Sequence, residues 1–292
     1  PAMYHDDSEQ HKHHVATYGP PSEFGYKDFI PMFKAEKFNA DEWAELFEKS
    51  GATFAGPVVE HHDGFAMWDT KYSKWNAAKM GPQRDIVAEL EKVIKKRGMK
   101  FVTTFHHATN WTYFPVWKES CDCSDPRYSE LYGPTHERSE NPSKEYLDEW
   151  HGKIIEVIDK YDPDLVWFDG GLTGIRDDYI KNFLAYFYNR SVERGKEVVA
   201  SYKTHDFPPG VGIQDIGGMM PELTHHMWMT DTTVDDQSAW SYTTNASFKS
   251  VNTLVDNLVD RVSKNGFLLL NIGPKPDGTF PEEAKNKLLG IG

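Results

Sequence analysis

The sequence predicts one α/β domain spanning residues 1–292, a (β/α)8-like TIM barrel that is one strand short. Three observations point there. Apolar runs of strand length recur along the chain and are mostly continuous rather than alternating, as in strands buried on both faces. Helical patterns separate most of them, with no composition break or flexible linker. No glycine-rich phosphate turn follows the first run, as a doubly wound sheet would usually show.

The elements follow in order. The stretch before Phe29 reads as loop. At Asn39-Ala40-Asp41-Glu42 the asparagine can cap a first turn while Glu42 reaches back, a variant of the capping box. Trp43, Leu46 and Phe47 then share one face, and Gly51 stops the helix. A second helix opens near Asp85, carries Ile86, Val87, Leu90, Val93 and Ile94, and ends in Lys95-Lys96-Arg97-Gly98. That ending sets cations at the negative end of the helix dipole and a glycine stop behind them. Further amphipathic stretches cover 144–161, 178–194 and 249–264, and 121–142 reads as a long polar insertion. The strand-length runs are 53–60, 100–107, 164–170, 197–203, 212–216, 226–231 and 266–273. Seven runs are one fewer than a closed barrel needs.

Composition narrows the function classes. A net charge of −13 argues against a basic face for nucleic-acid phosphates. The longest apolar stretch, around 267–272, is far too short to span a membrane. Two cysteines, Cys121 and Cys123, form neither a disulfide framework nor a paired zinc motif. Acceptor triplets for N-glycosylation begin at Asn110, Asn189 and Asn245, which mildly favours a secreted, periplasmic or lysosomal-type compartment.

In a barrel of this type chemistry sits at the C-terminal ends of the strands. Those ends read Glu60-His61-His62-Asp63-Gly64-Phe65, His106-His107 with Trp111, Asp169-Gly170-Gly171, Tyr202-Lys203, Asp215, Trp228 to Asp231, and Asn271. Singly, each histidine or tryptophan reads as a packing residue. Together on one rim, carboxylates, imidazoles and indoles are what hydrolysis of a glycosidic bond requires. One carboxylate attacks or stabilises the anomeric centre, a second carboxyl protonates the leaving oxygen, and the rings hold the sugar. In 165–171, four apolar residues deliver one carboxylate, Asp169, and glycines behind it leave room for a ligand. A catalytic metal is not expected, because adjacent residues on a strand point to opposite faces and cannot easily share an ion. The cluster His11, His13 and His14 lies in the N-terminal stretch, away from this rim.

Several blocks resemble the α-L-fucosidases of glycoside hydrolase family 29. They include Tyr18-Gly19, Tyr26-Lys27-Asp28-Phe29, Phe38 to Trp43, Glu60 to Phe65 with Trp68-Asp69, and Gly81 to Asp85. Trp167-Phe168-Asp169-Gly170, Val262 to Gly266 and Leu268 to Pro274 complete the set, in order over nearly the whole chain. The resemblance implies a barrel enzyme that releases terminal α-L-fucose with retention, through a covalent fucosyl-enzyme intermediate and with no cofactor. Its partner would be a fucosylated oligosaccharide or glycoconjugate. By resemblance Asp169 is the nucleophile, His61 and His62 bind fucose hydroxyls, and Trp68, His107, Trp111 and Trp228 line the sugar pocket. Glu60 stands where many relatives carry Lys, and we read it as a hydroxyl acceptor.

The chain departs from the family pattern in three places. The family's opening strand, with its His-Trp-Gly block, has no counterpart here, which accounts for the missing strand. Relatives continue beyond the position of Gly292. Many place Glu directly after the Trp that matches Trp228, where this chain has Met229. The acid/base candidates are therefore Glu222, in the loop before that Trp, with Asp215 and Asp231 as alternatives. The same departure supports a rival reading, a fucose-binding module of this fold with impaired catalysis.

Overall fold

Gly56 and Pro57 break the first apolar run into two short strands, β1 (Phe54–Ala55) and β2 (Val58–Glu60). The break is tight: a Cβ at Gly56 would lie 1.7 Å from the Val102 carbonyl oxygen, so only glycine lets the neighbouring strand approach. That neighbour is β3 (Lys100–Phe105), which pairs with both pieces in parallel. These relations come from a computed structural model, which describes residues 2–292.

The remaining strands add one after another: β4 (Leu165–Phe168), β5 (Val199–Lys203), β6 (Ile213–Asp215), β7 (Trp228–Thr233) and β8 (Gly266–Asn271). Every pairing is parallel and follows chain order, yet β8 does not pair with β1 or β2. The sheet is thus a curled, incomplete barrel, with an open seam between its first and last strands. All seven predicted runs contain strand, although the last-but-one begins at Trp228 rather than at 226.

Seven helices of eight residues or more are present among the described residues: α1 (Glu9–Tyr18), α2 (Ala40–Lys49), α3 (Ile86–Lys96), α4 (Lys144–Tyr161), α5 (Asp177–Glu193), α6 (Val251–Ser263) and α7 (Glu282–Ile291). At α2, Asn39 accepts from the Asp41 and Glu42 N–H groups, and its amide donates to the Glu42 carboxylate at 2.8 Å. Helix α1 corrects the expectation of an N-terminal loop. Ser8 caps it, and its one buried residue, His14, packs among Tyr18, Phe24 and Phe29. A single inward residue leaves no apolar stripe to read in the sequence. The 121–142 insertion is likewise anchored rather than solvated. Buried Asp122 accepts from the hydroxyls of Tyr4 and Tyr132 at 2.9 and 2.7 Å.

Between sheet and helices lies a core rich in aromatic rings, with Phe105, Phe168, Phe183 and Phe187 all essentially inaccessible. One ion pair crosses this layer. The Lys153 ammonium of α4 reaches Glu60, the last residue of β2, at 2.8 Å, and Glu149 at 3.0 Å. Removing one partner of such a pair leaves a charge buried alone. Lys153→Met is therefore expected to cost about 3–5 kcal/mol in urea unfolding at neutral pH, with Glu60→Gln in the same chain restoring most of it. A loss below about 1 kcal/mol would show that the pair is solvated and does not hold β2 to α4.

Candidate active site

The strand ends converge because hydrogen bonds continue the ladder beyond the strands. The His106 N–H donates to the Glu60 carbonyl at 2.9 Å, and the Asp169 N–H donates to the Phe105 carbonyl at 3.0 Å. The Asp169 carboxylate is thereby set at the wall of a cleft of about 1300 Å³. The apolar seam residues of β1, β2 and β8 line the same cleft, together with His61, Asp63, His106, Trp167, Lys203, Asp231 and Trp240.

Two groups grip Asp169. The Lys203 ammonium lies 2.7 Å from Oδ1, and the His106 Nδ1 lies 3.1 Å from Oδ2. Burial alone would raise the Asp169 pKa, but these contacts outweigh it and hold the carboxyl well below the usual carboxylate range. Lys203 also rests on the face of Trp167, 5.3 Å from its ring centre, and reaches Asp231 at 3.1 Å. One ammonium thus bridges two carboxylates, which lie within about 6 Å of each other.

Asp215 sits one layer below. Its Oδ2 accepts from the Trp167 indole at 3.1 Å and its Oδ1 from the Gly217 N–H at 2.9 Å. Burial, with the nearby Asp231 and Asp169 charges, outweighs the Gly217 bond and pushes its pKa up to about 6. Two neighbouring carboxyls are therefore driven apart, one held ionised and one kept protonated into mildly acidic pH.

Histidines close the other side. His62 donates through Nδ1 to the His106 carbonyl at 2.7 Å, and His61 stacks on His106 with ring centres 4.3 Å apart. Partial desolvation and the neighbouring imidazoles lower His61 and His62, so both present neutral rings at neutral pH. Gly170, at φ +77°, makes room for this arrangement. A Cβ there would be 3.2 Å from both His62 Cε1 and Thr109 Oγ1, in a conformation that side chains rarely adopt.

The structure sorts the residues singled out from the sequence. Asp169 and His61 line the cleft, His62 stands beside it, and Asp215 lies beneath. Glu60 and His107 point to the opposite side, into a separate cavity of about 330 Å³ between sheet and helices. There burial pushes Glu60 up to about 7 despite Lys153. Neither side chain reaches the cleft that holds Asp169 in this structure. Nor do the three tryptophans, which are buried with their indole N–H groups occupied. Trp68 donates to Glu156 at 2.9 Å, Trp111 to the Glu140 carbonyl at 2.8 Å, and Trp228 to the Lys264 carbonyl at 2.9 Å. Glu222 lies on an exposed loop and does not line the cleft. Asn110, the first glycosylation triplet, is buried and bonded to the His62 and Leu131 carbonyls, so it is not an open acceptor.

Three contributors carried no assigned role in the sequence reading: His106, Lys203 and Trp240. The first two stand at strand ends, which is the signal that could have raised them. Trp240 is an exposed indole in a polar loop, at φ +59°, with its carbonyl accepting from Asn271 at 2.9 Å. Large exposed aromatics in a cleft read as ligand platforms. A further expectation also changes. The chain leaves β2 at Glu60, so strand alternation no longer separates His61 from His62, and both reach the same side as His106. No helix among the described residues is long and apolar enough to cross a membrane.

Comparison with known proteins places this geometry. A family model described as alpha-L-fucosidase matches residues 2–292. Human plasma alpha-L-fucosidase is 33% identical over 287 residues, covering 94% of this chain and 56% of the relative. An alpha-L-fucosidase of Dictyostelium discoideum is 28% identical, covering 98% of this chain and 60% of its own. Among solved structures, Thermotoga maritima alpha-fucosidase in complex with fucose superposes with a TM-score of 0.79 at 32% identity, over 99% of this chain and 62% of that one. The chain thus spans less than two thirds of the length of the relatives it matches. With the family model matched across residues 2–292 and the same curled sheet in a solved relative, the chain belongs to the α-L-fucosidase family.

Proposed function

We propose that this chain is the catalytic part of a retaining exo-α-L-fucosidase acting on terminal α-L-fucosyl groups of oligosaccharides or glycoconjugates, with no cofactor. The observation that carries the reading is an ionised Asp169 in the cleft wall, gripped by Lys203 and His106 and faced by neutral His61 and His62. The relative solved with fucose, and the same protein solved with a mechanism-based inhibitor at 33% identity, support it.

In this reading fucose enters with C1 toward Asp169. The neutral imidazoles of His61 and His62 exchange hydrogen bonds with ring hydroxyls, and Trp240 stacks on the sugar's apolar edge. Asp169 attacks C1 while a protonated carboxyl gives its proton to the departing oxygen. The fucosyl ester then yields to water, activated by the same carboxyl in its ionised form. Burial raises Asp63 and Asp206 as well, but Asp215 is pushed up to about 6 within reach of the Asp169 charge, and we assign it the acid/base role ahead of Glu222, which stands outside the cleft. Asp231 already shares its charge with Lys203. A second reading, the impaired fucose-binding module, draws on one observation: both Asp215 oxygens are engaged by Trp167 and Gly217 in this state. Turnover requires the Asp215 side chain to swing free. A fucoside with a strongly activated leaving group separates the two readings, since it turns over with little acid assistance only if the nucleophile works.

Asp169→Ala is expected to lower kcat on an aryl fucoside by about 10³-fold or more with fold and fucose affinity kept, and azide should restore turnover as the inverted azide product. Undiminished activity would remove Asp169 from the role. For a fucoside with a poor leaving group, kcat/KM should be level on the acid side of about 6 and fall tenfold per pH unit above it. The sign follows from Asp215 acting in its protonated form. Asp215→Asn should abolish that limb and cost about 10²–10⁴-fold on the poor leaving group, far less on an activated one. If Glu222→Gln shows this pattern instead, the acid is Glu222. Trp240→Ala should raise KM for the fucoside about tenfold with kcat little changed, as loss of uniform binding does. An unchanged KM would place the sugar away from that loop.

A further inference from the structure

We propose that His61, His62 and His106 form a binding site for a zinc-type transition-metal ion that overlaps the sugar cleft. The nitrogen ligand atoms of the three rings all lie within 4.8 Å of one another. Tetrahedral coordination at Zn–N distances of about 2.0–2.1 Å needs nitrogens about 3.4 Å apart, so small side-chain rotations complete the set.

Each ring has a nitrogen to offer. His62 spends Nδ1 as a donor to the His106 carbonyl, which leaves Nε2 with a free lone pair beside Gly170. His106 sets Nδ1 3.1 Å from Asp169, and both of its ring nitrogens are buried with no hydrogen-bonding partner among the described residues. An unpaired nitrogen there is otherwise costly. A carboxylate behind an imidazole whose other nitrogen is open is the arrangement that orients histidine toward a metal and strengthens it as a ligand. His61 is exposed at the mouth and packs on both other rings. Three imidazoles with a fourth position open to solvent suit zinc, copper or nickel and not magnesium or calcium, which prefer oxygen ligands.

The ion would occupy the space that the proposed function gives to sugar hydroxyls, so the two should exclude each other. Only this competition rests on the fucosidase reading. Binding itself is independent of it.

Calorimetric titration of the purified chain with zinc chloride, in a buffer that does not chelate metal, tests the proposal. One equivalent should bind reversibly to chelator, and the cobalt(II) form should show the intense visible bands of a tetrahedral site. His61→Ala, a change at an exposed position, should weaken zinc at least about tenfold, with His62→Ala and His106→Ala as further variants checked for fold by circular dichroism. Magnesium should give no heat. A His11→Ala/His13→Ala chain, which removes the N-terminal cluster, should bind zinc as the parent does. Zinc binding that survives His61→Ala and His62→Ala, or that disappears with His11 and His13, overturns the proposal, as does the absence of any binding. If zinc binds at these histidines and free fucose fails to displace it, the metal site stands and the fucose reading of the cleft falls.

Discussion

A single ammonium organises the site. Lys203 stands at the end of β5 between Asp169, the residue after β4, and Asp231 on β7, carboxylates from strands that are not themselves paired. Without a cation there, two partly buried carboxylates this close could not both ionise. At an effective dielectric of about 20, a unit charge pair 4 Å apart interacts by about 4 kcal/mol, enough to decide which groups carry protons. Lys203 and His106 hold Asp169 ionised, while burial beneath Trp167 pushes Asp215 up to about 6. Charge at the surface of the cleft is the consequence of the lysine, whereas the raised pKa of Asp215 below it comes from burial, against the pull of the same ammonium. The Lys203 ammonium also lies over the Trp167 face, a cation–π contact that helps to hold it in place.

The second constraint is geometric. A strand presents successive side chains to opposite faces, and the residues just past β3, where the His106 N–H continues the ladder to Glu60, show what this does to a doublet of similar residues. His106 faces the cleft and Asp169, whereas His107 lies against Trp150 on the helix side. Glu60 follows the same rule, turned outward to Lys153. Past Glu60 the chain leaves the sheet at once, and His61 and His62 escape the rule together. The chemistry of the rim therefore depends on the residue at which each strand stops, and that boundary is set by loop hydrogen bonds such as Asn110 to the His62 carbonyl at 2.8 Å.

The fold was largely legible. Continuous apolar runs, a capped helix at Asn39 and cation-ended helix 86–96 are local signals, and each became the expected element. Asp169 was legible for the same reason, since a buried strand can deliver only the first polar residue after it. The indoles were not. Whether a tryptophan lines a cleft depends on what takes its N–H, and for Trp68 that is Glu156, 88 positions away on α4. The grip of Lys203 on Asp169 is another contact that only the curl of the sheet creates. The seam between β8 and β2 was readable as a missing run, but the width it gives the cleft is a property of the curled sheet alone.

The most direct test of the account is to trap the covalent intermediate. Incubation with an activated 2-deoxy-2-fluoro fucosyl donor, followed by proteolysis and mass spectrometry, should find one fluorofucosyl group on the peptide carrying Asp169, with the ester bond mapped to that carboxylate. A label on Asp231, Asp215 or Glu222, or turnover with no label at any carboxylate, would contradict it.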